Sequence, residues 1–170
     1  TTSGFFIISV DPGSTEIIKN PDVVHSKKYL DFGRGFYITT FENQAKKWAV
    51  RKGMRQKKTA IVNVYELSEE WSGFRVLSFE KENEKWLDFV CACRKGQSLN
   101  KEYDIIIGNV ADDDVFKTVD MYFRGLWNKE KVLNELRYYK MNNQICIVKQ
   151  EALDCLLTFQ KAYEVNSNGK

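Results

Sequence analysis

The chain has one histidine, two prolines and four cysteines in 170 residues, and no apolar run approaches the roughly 20 residues needed to cross a bilayer. Each scarcity excludes something. With His25 as the only imidazole, no Ser-His-Asp set is credible, and an isolated Cys91-Ala92-Cys93 cannot complete a zinc site, so no metal is expected. Cys91, Cys93, Cys146 and Cys155 all lie in apolar periodic runs and form no Cys-x-x-Cys pair, which predicts buried, reduced thiols in a cytoplasmic protein. The start, Thr1-Thr2-Ser3-Gly4-Phe5-Phe6, lacks a basic flank and a cleavage site, so residues 1–4 read as a polar leader or cloning scar before a strand. With 43% apolar and 29% charged residues the composition is globular, and the length is that of one domain.

Net charge is only +3, yet Lys46, Lys47, Arg51, Lys52, Arg55, Lys57 and Lys58 fall in one stretch without an acid, leaving the rest of the chain at −4. Such a stretch attracts nucleic acid, the phosphates of a nucleotide or an acidic partner protein, or is simply a solvated helix face.

Periodicity shows no repeat and no linker. It predicts strands at Phe5 to Val10, Gly35 to Thr39, Thr59 to Leu67, Phe74 to Phe79, Tyr103 to Ile107 and Gln144 to Val148. A helix opens at a capping box of Thr39 and Glu42, carries Ala45, Trp48 and Ala49 on one face, and fades near Gly53. Further helices are expected from about Glu82 to Lys95, from the Asp112-Asp113-Asp114 start to a stop at Gly125, after an Asn128 cap, and from Glu151 to Ala162. Strands and helices mix without regular alternation, which favours a single α+β domain over residues 5–163 and a polar tail over 164–170.

Two short motifs fail on context. Asp31-Phe32-Gly33 spells the kinase metal-binding triplet, but no His-Arg-Asp loop precedes it. Gly33-Arg34-Gly35 lacks a third glycine and enters a strand, unlike a dinucleotide fingerprint. What remains is the run Leu30-Asp31-Phe32-Gly33-Arg34-Gly35-Phe36-Tyr37-Ile38-Thr39-Thr40, with Trp48 eleven residues after Tyr37. Two glycines beside a strand admit a ligand close to the backbone, and one aromatic on the strand and another on the next helix can flank a flat ring; the alternative is a bend with two core aromatics.

Phe32-Gly33-Arg34-Gly35-Phe36-Tyr37 resembles the Phe-Gly-Lys-Gly-Ile-Tyr strand of the poly(ADP-ribose) polymerase branch of the ADP-ribosyltransferase superfamily. Asn143-Gln144-Ile145-Cys146-Ile147 is similar to the Asn-Glu-Tyr-Ile-Val strand that carries that superfamily's catalytic acid. From Val10 to Phe159 the chain looks most like a small uncharacterised bacterial family of this superfamily, suspected to supply toxins to toxin–antitoxin pairs.

The resemblance implies a split mixed sheet with flanking helices and NAD as substrate. Tyr37 and Trp48 would stack the nicotinamide, and Gly13 would bind its carboxamide, with Ser14, Gly35, Phe36 and Ala45 lining the pocket. Gln144 would take the catalytic place alongside Tyr37, able to hold a ribose hydroxyl but not the negative charge that stabilises a cationic transition state. The first motif departs from the pattern: Val10-Asp11-Pro12-Gly13-Ser14 stands where the superfamily has an aromatic, His, Gly and Ser or Thr. The implied activity is transfer of ADP-ribose to a protein or nucleic-acid target, with a cognate antitoxin among the implied partners. The rival expectation is a binding module on the same fold with its pocket disabled.

Overall fold

β-Branched and aromatic runs build a seven-stranded sheet in the computed structural model, which describes residues 5–11, 15–27, 29–81, 83–111, 113–136 and 143–166. The strands are β1 (Phe5–Asp11), β2 (Phe36–Thr39), β3 (Ala60–Leu67), β4 (Val76–Ser78), β5 (Ile105–Gly108), β6 (Gln144–Ile147) and β7 (Leu157–Val165), in the spatial order β4-β5-β6-β2-β1-β3-β7. Only β4 and β5 run parallel. Five α-helices among the described residues complete the domain: α1 (Glu42–Gln56), α2 (Glu84–Arg94), α3 (Asp113–Phe123), α4 (Lys129–Leu136) and α5 (Gln150–Leu156). None is long and apolar enough to cross a membrane.

Alternation along the central strands sorts side chains to two faces. Phe36, Ile38, Ile105, Ile145 and Ile147 point to one face, where Leu153 and Leu156 of α5 join Tyr65 and Leu67. Tyr37, Ile106 and Cys146 point to the other, under Trp86, Leu87 and Val90 of α2, Val115 and Val119 of α3, and Val132 and Leu136 of α4. Helix α1 lays Ala45 and Ala49 on Val62 and Val64 of β3 as a separate small cluster.

Several expectations are corrected. The sheet is continuous rather than split, because the four residues of β2 pair with β1 on one side and β6 on the other. The Thr39–Glu42 capping box does not form: Phe41 occupies the N-cap position without a side-chain cap, the Thr39 hydroxyl accepts from Phe41 N–H, and the Glu42 carboxylate accepts from Tyr163 Oη. Helix α1 passes Gly53 and ends at Gln56, capped by Lys57, whose left-handed φ of 55° lets the N–H groups of Lys57 and Lys58 bond the carbonyls of Met54 and Gly53. Gly53 suits this return, since a Cβ there would stand 2.8 Å from Lys58 O. Residues 1–4, and Asp112 at the expected start of α3, lie outside the described residues.

The closing helix is the largest correction. Leu153, Leu156 and Leu157 share helical spacing, but the helix stops at Leu156 and Leu157–Val165 form β7, registered along the whole of β3 from Leu67↔Leu157 to Ala60↔Val165. Pairing covers what would be an open edge of β3, and Thr158, Phe159, Tyr163 and Val165 suit a strand. Glu164 and Val165 therefore belong to the sheet and not to the tail. Cys155 is exposed, while the other three thiols are buried.

Candidate functional site

The loop before β2 is held to the sheet by one phenol. Tyr37 points inward from β2, accepts from Phe32 N–H at 3.0 Å and donates to Gly33 O at 2.6 Å, so the Asp31–Gly35 turn lies against its own strand. Gly33 takes φ +75°, and Gly35 allows the closest approach: a Cβ there would overlap Cys146 Sγ and stand 2.8 Å from Ile147 O. Gly35 N–H donates to the Ser26 hydroxyl at 2.9 Å, and Asn100 Nδ2 donates to Arg34 O at 2.9 Å.

This turn delivers Asp31 into the interior. Its carboxylate, 6% exposed, pairs with Arg94 at the end of α2, accepts from Ala111 N–H at 2.9 Å, and accepts from Gln144 Nε2 at 3.0 Å. A buried carboxylate needs this many partners, because desolvation of an unpaired one costs several kcal/mol (~3–5). The Arg94 guanidinium also lies 4.3 Å from the Phe116 ring centroid.

Gln144 opens β6 with its side chain almost fully buried. Its Nε2 also lies 3.3 Å from Asn109 O, and both contacts are acceptors, so the amide nitrogen must face them. Its amide oxygen accepts no hydrogen bond among the described residues. Asn143 just before it is fixed from three sides. Its Oδ1 accepts from Thr39 Oγ1 at 3.0 Å and from Thr40 N–H at 3.1 Å, its Nδ2 donates to Thr40 Oγ1, and its carbonyl accepts from Gln44 Nε2 at 2.8 Å. The end of β2, the start of α1 and the start of β6 are thus tied around Gln144.

The predicted residues are only partly brought together. Tyr37 and Cys146 are direct cross-strand partners, and Gln144 lies two residues along β6 from Cys146, on the same face. Asp11 at the end of β1 pairs with Tyr37 after a register shift that follows the Ser9↔Ile38 pair. Phe36 is fully buried on the opposite face, edge-on to Tyr65 at 5.8 Å, so its side chain points away from Gln144's. Ala45 is buried with Val62 and Val64 under α1, and Trp48 is half-buried on the same helix. Tyr37 is 3% exposed, within the α2–α4 core. Pro12, Gly13 and Ser14 lie outside the described residues.

The basic stretch does not form one uniform face. Lys47, Arg51 and Arg55 are exposed at four-residue spacing along α1, but Lys52 is buried, Lys46 pairs with Glu42 at 3.1 Å, and Lys58 pairs with Glu16 at 3.4 Å. Burial raises the titrations of the inner groups: the Tyr37 hydroxyl is pushed well above the ordinary tyrosine range, Cys93 is pushed up to about 12, and Cys91 and Cys146 are raised as well. None of these thiols is a nucleophile at neutral pH. No group of three or more His, Cys, Asp or Glu side chains among the described residues is placed to hold a metal ion.

One family's sequence model matches residues 10–159, from the end of β1 into β7 and across the whole Asp31–Gln144 network. The chain belongs to the DUF3990 family. That family is described as a protein of unknown function. No curated protein and no solved structure matches the chain. Within this DUF3990 domain, the residues that sequence reasoning missed are Asp31, Arg94 and Asn143. The signal for Asp31 was present: an acid flanked by Leu30 and Phe32 beside a tight glycine turn must be buried, and a buried acid demands partners. Nothing in the spacing marked Arg94, 63 residues away, as the partner.

Proposed function

We propose that this DUF3990 domain is an NAD-dependent ADP-ribosyltransferase of bacterial toxin type. The observation that carries the reading is the anchored Gln144 amide: its nitrogen is held by Asp31 and Asn109, its oxygen is left as an acceptor, and it stands where the resemblance puts the superfamily's catalytic residue. In this reading Gln144 Oε1 accepts from a ribose hydroxyl of NAD and orients the nicotinamide-bearing carbon. The glycosidic bond breaks with its electron pair leaving on neutral nicotinamide. The positive charge that develops on the ribose is met by a nucleophile on the target, which forms the new bond to the same carbon and loses its proton to solvent. Gln144 carries no charge of its own; Asp31, 3.0 Å from its amide nitrogen and partly offset by Arg94, supplies the nearest negative one. Trp48 is the more open of the two predicted stacking rings.

A second reading is favoured by Tyr37, whose ring is enclosed and whose hydroxyl is engaged by Phe32 and Gly33: a binding module on the same fold with no room for the nicotinamide. Labelled NAD incubated with the protein and cell lysate, followed by mass spectrometry of the products, separates the two. The transferase reading expects labelled acceptors that vanish with Gln144→Ala. A wild-type chain that labels nothing and retains folded stability leaves the binding module in its place.

A further inference from the structure

We infer that the cavity behind the Gly33–Gly35 turn is a binding site for a phosphomonoester of mononucleotide size, separate from the Gln144 site. The cavity encloses about 460 Å³, inside the roughly 300–1,000 Å³ of small-molecule sites. Arg34, Lys101 and Lys149 line it from three different segments, and no carboxylate among the described residues lines it. None of these three side chains makes an ion pair among the described residues, whereas Lys46, Lys58, Arg75, Arg94, Arg124 and Lys129 all do. Three like charges around one concavity repel one another, and the low-dielectric wall concentrates their field. A bound dianion relieves that repulsion, so the site selects phosphate over neutral ligands.

Side chains supply the charged donors, and part of the lining backbone is already committed. The N–H groups of Gly96, Gln97 and Lys101 are engaged by the carbonyls of Cys93, Ala92 and Ser98. The frame around the cations is fixed: the buried Asn100 amide holds Arg34 O, and Val23 N–H donates to Gln150 Oε1 at 3.1 Å. Val23 and Val148 give the cavity its apolar wall, against which a sugar or base can rest while Arg34 forks onto the phosphate oxygens. The site lies past the other end of β6 from Gln144, four to five residues along the strand, or roughly 13–16 Å at about 3.3 Å per residue.

Calorimetric titration at low salt with AMP, inorganic phosphate and adenosine tests the inference without using NAD, so it stands or falls independently of the transferase reading. AMP should bind and raise the melting temperature, phosphate should compete with it, and adenosine should give no measurable heat. Lys101→Glu with Lys149→Glu should weaken AMP at least tenfold while leaving the ligand-free melting temperature near wild type. If that double variant folds poorly, Arg34→Gln should still weaken AMP at least threefold. Gln144→Ala should leave AMP binding unchanged. The inference is overturned if AMP gives no heat at millimolar concentration, if adenosine binds as well as AMP, if the charge variants leave AMP affinity intact, or if Gln144→Ala abolishes it.

Discussion

Replacing Gln144 with glutamate separates what this position does for the fold from what it does for chemistry. The new carboxylate would stand where Gln144 Nε2 now donates to Asp31 at 3.0 Å and faces Asn109 O at 3.3 Å, so two donated contacts become repulsive ones. Two unit charges about 3–4 Å apart at an effective dielectric of 20 repel by about 4–5 kcal/mol. Arg94 already pairs with Asp31 and offsets roughly half of that, leaving a net cost on the order of 2–3 kcal/mol when the introduced carboxyl is ionised. Burial and the neighbouring charge both raise the folded-state value of that carboxyl above its unfolded value near 4.3. A group raised in the folded state stabilises fully below its unfolded value and loses that contribution as pH rises through the folded one. The variant should therefore approach wild-type stability near pH 4 and fall behind by about 2–3 kcal/mol at pH 8. Urea unfolding of both proteins at several pH values gives the difference directly. A deficit independent of pH, or a variant more stable at pH 8 than at pH 4 relative to wild type, refutes the anchored-amide account of Gln144.

Tyr37→Phe leaves Phe32 N–H and Gly33 O without their buried partner and should cost about 1–3 kcal/mol in denaturant unfolding. Because burial raises the Tyr37 hydroxyl, its stabilisation is present below the unfolded tyrosine value near 10 and declines as pH rises beyond it toward the folded value, so wild type and Tyr37→Phe should converge in alkali. Gly35→Ala forces a methyl against Cys146 Sγ and Ile147 O between two paired strands and should lower stability by about 1–3 kcal/mol, read as a lower urea midpoint. A thiol reagent should titrate Cys155 quickly in the native protein and Cys91, Cys93 and Cys146 only on unfolding; two or more fast thiols would contradict the burial described.

Long, strongly patterned elements are legible from sequence, and local compensations are not. Trp86, Phe89, Val90 and Cys93 mark α2 by helical spacing, and the β-branched run to Leu67 marks β3. Asn128 caps α4 as expected, accepting from Lys131 N–H at 2.9 Å. The end of the chain misleads because three leucines at helical spacing precede a segment whose strand character depends on β3 being there to pair with it. The site shows the same division. Tyr37 and Gln144 stand out by residue type and motif, but their roles in the fold depend on partners far along the chain, such as Asn109 and Arg94, that no local pattern names. Phe36 illustrates a subtler limit: its neighbour Tyr37 faces the Gln144 side, so alternation alone sends Phe36 to the other face.

The most direct test of the central claim is a calorimetric titration of NAD into wild type, Gln144→Ala and Trp48→Ala at equal folded stability. The transferase reading predicts saturable heat with wild type, an affinity loss of about 1 kcal/mol with Trp48→Ala from the missing stacking face, and a loss of about 0.5–1.5 kcal/mol with Gln144→Ala from the missing hydrogen bond. No heat from wild type, or NAD binding that neither substitution alters, would contradict it.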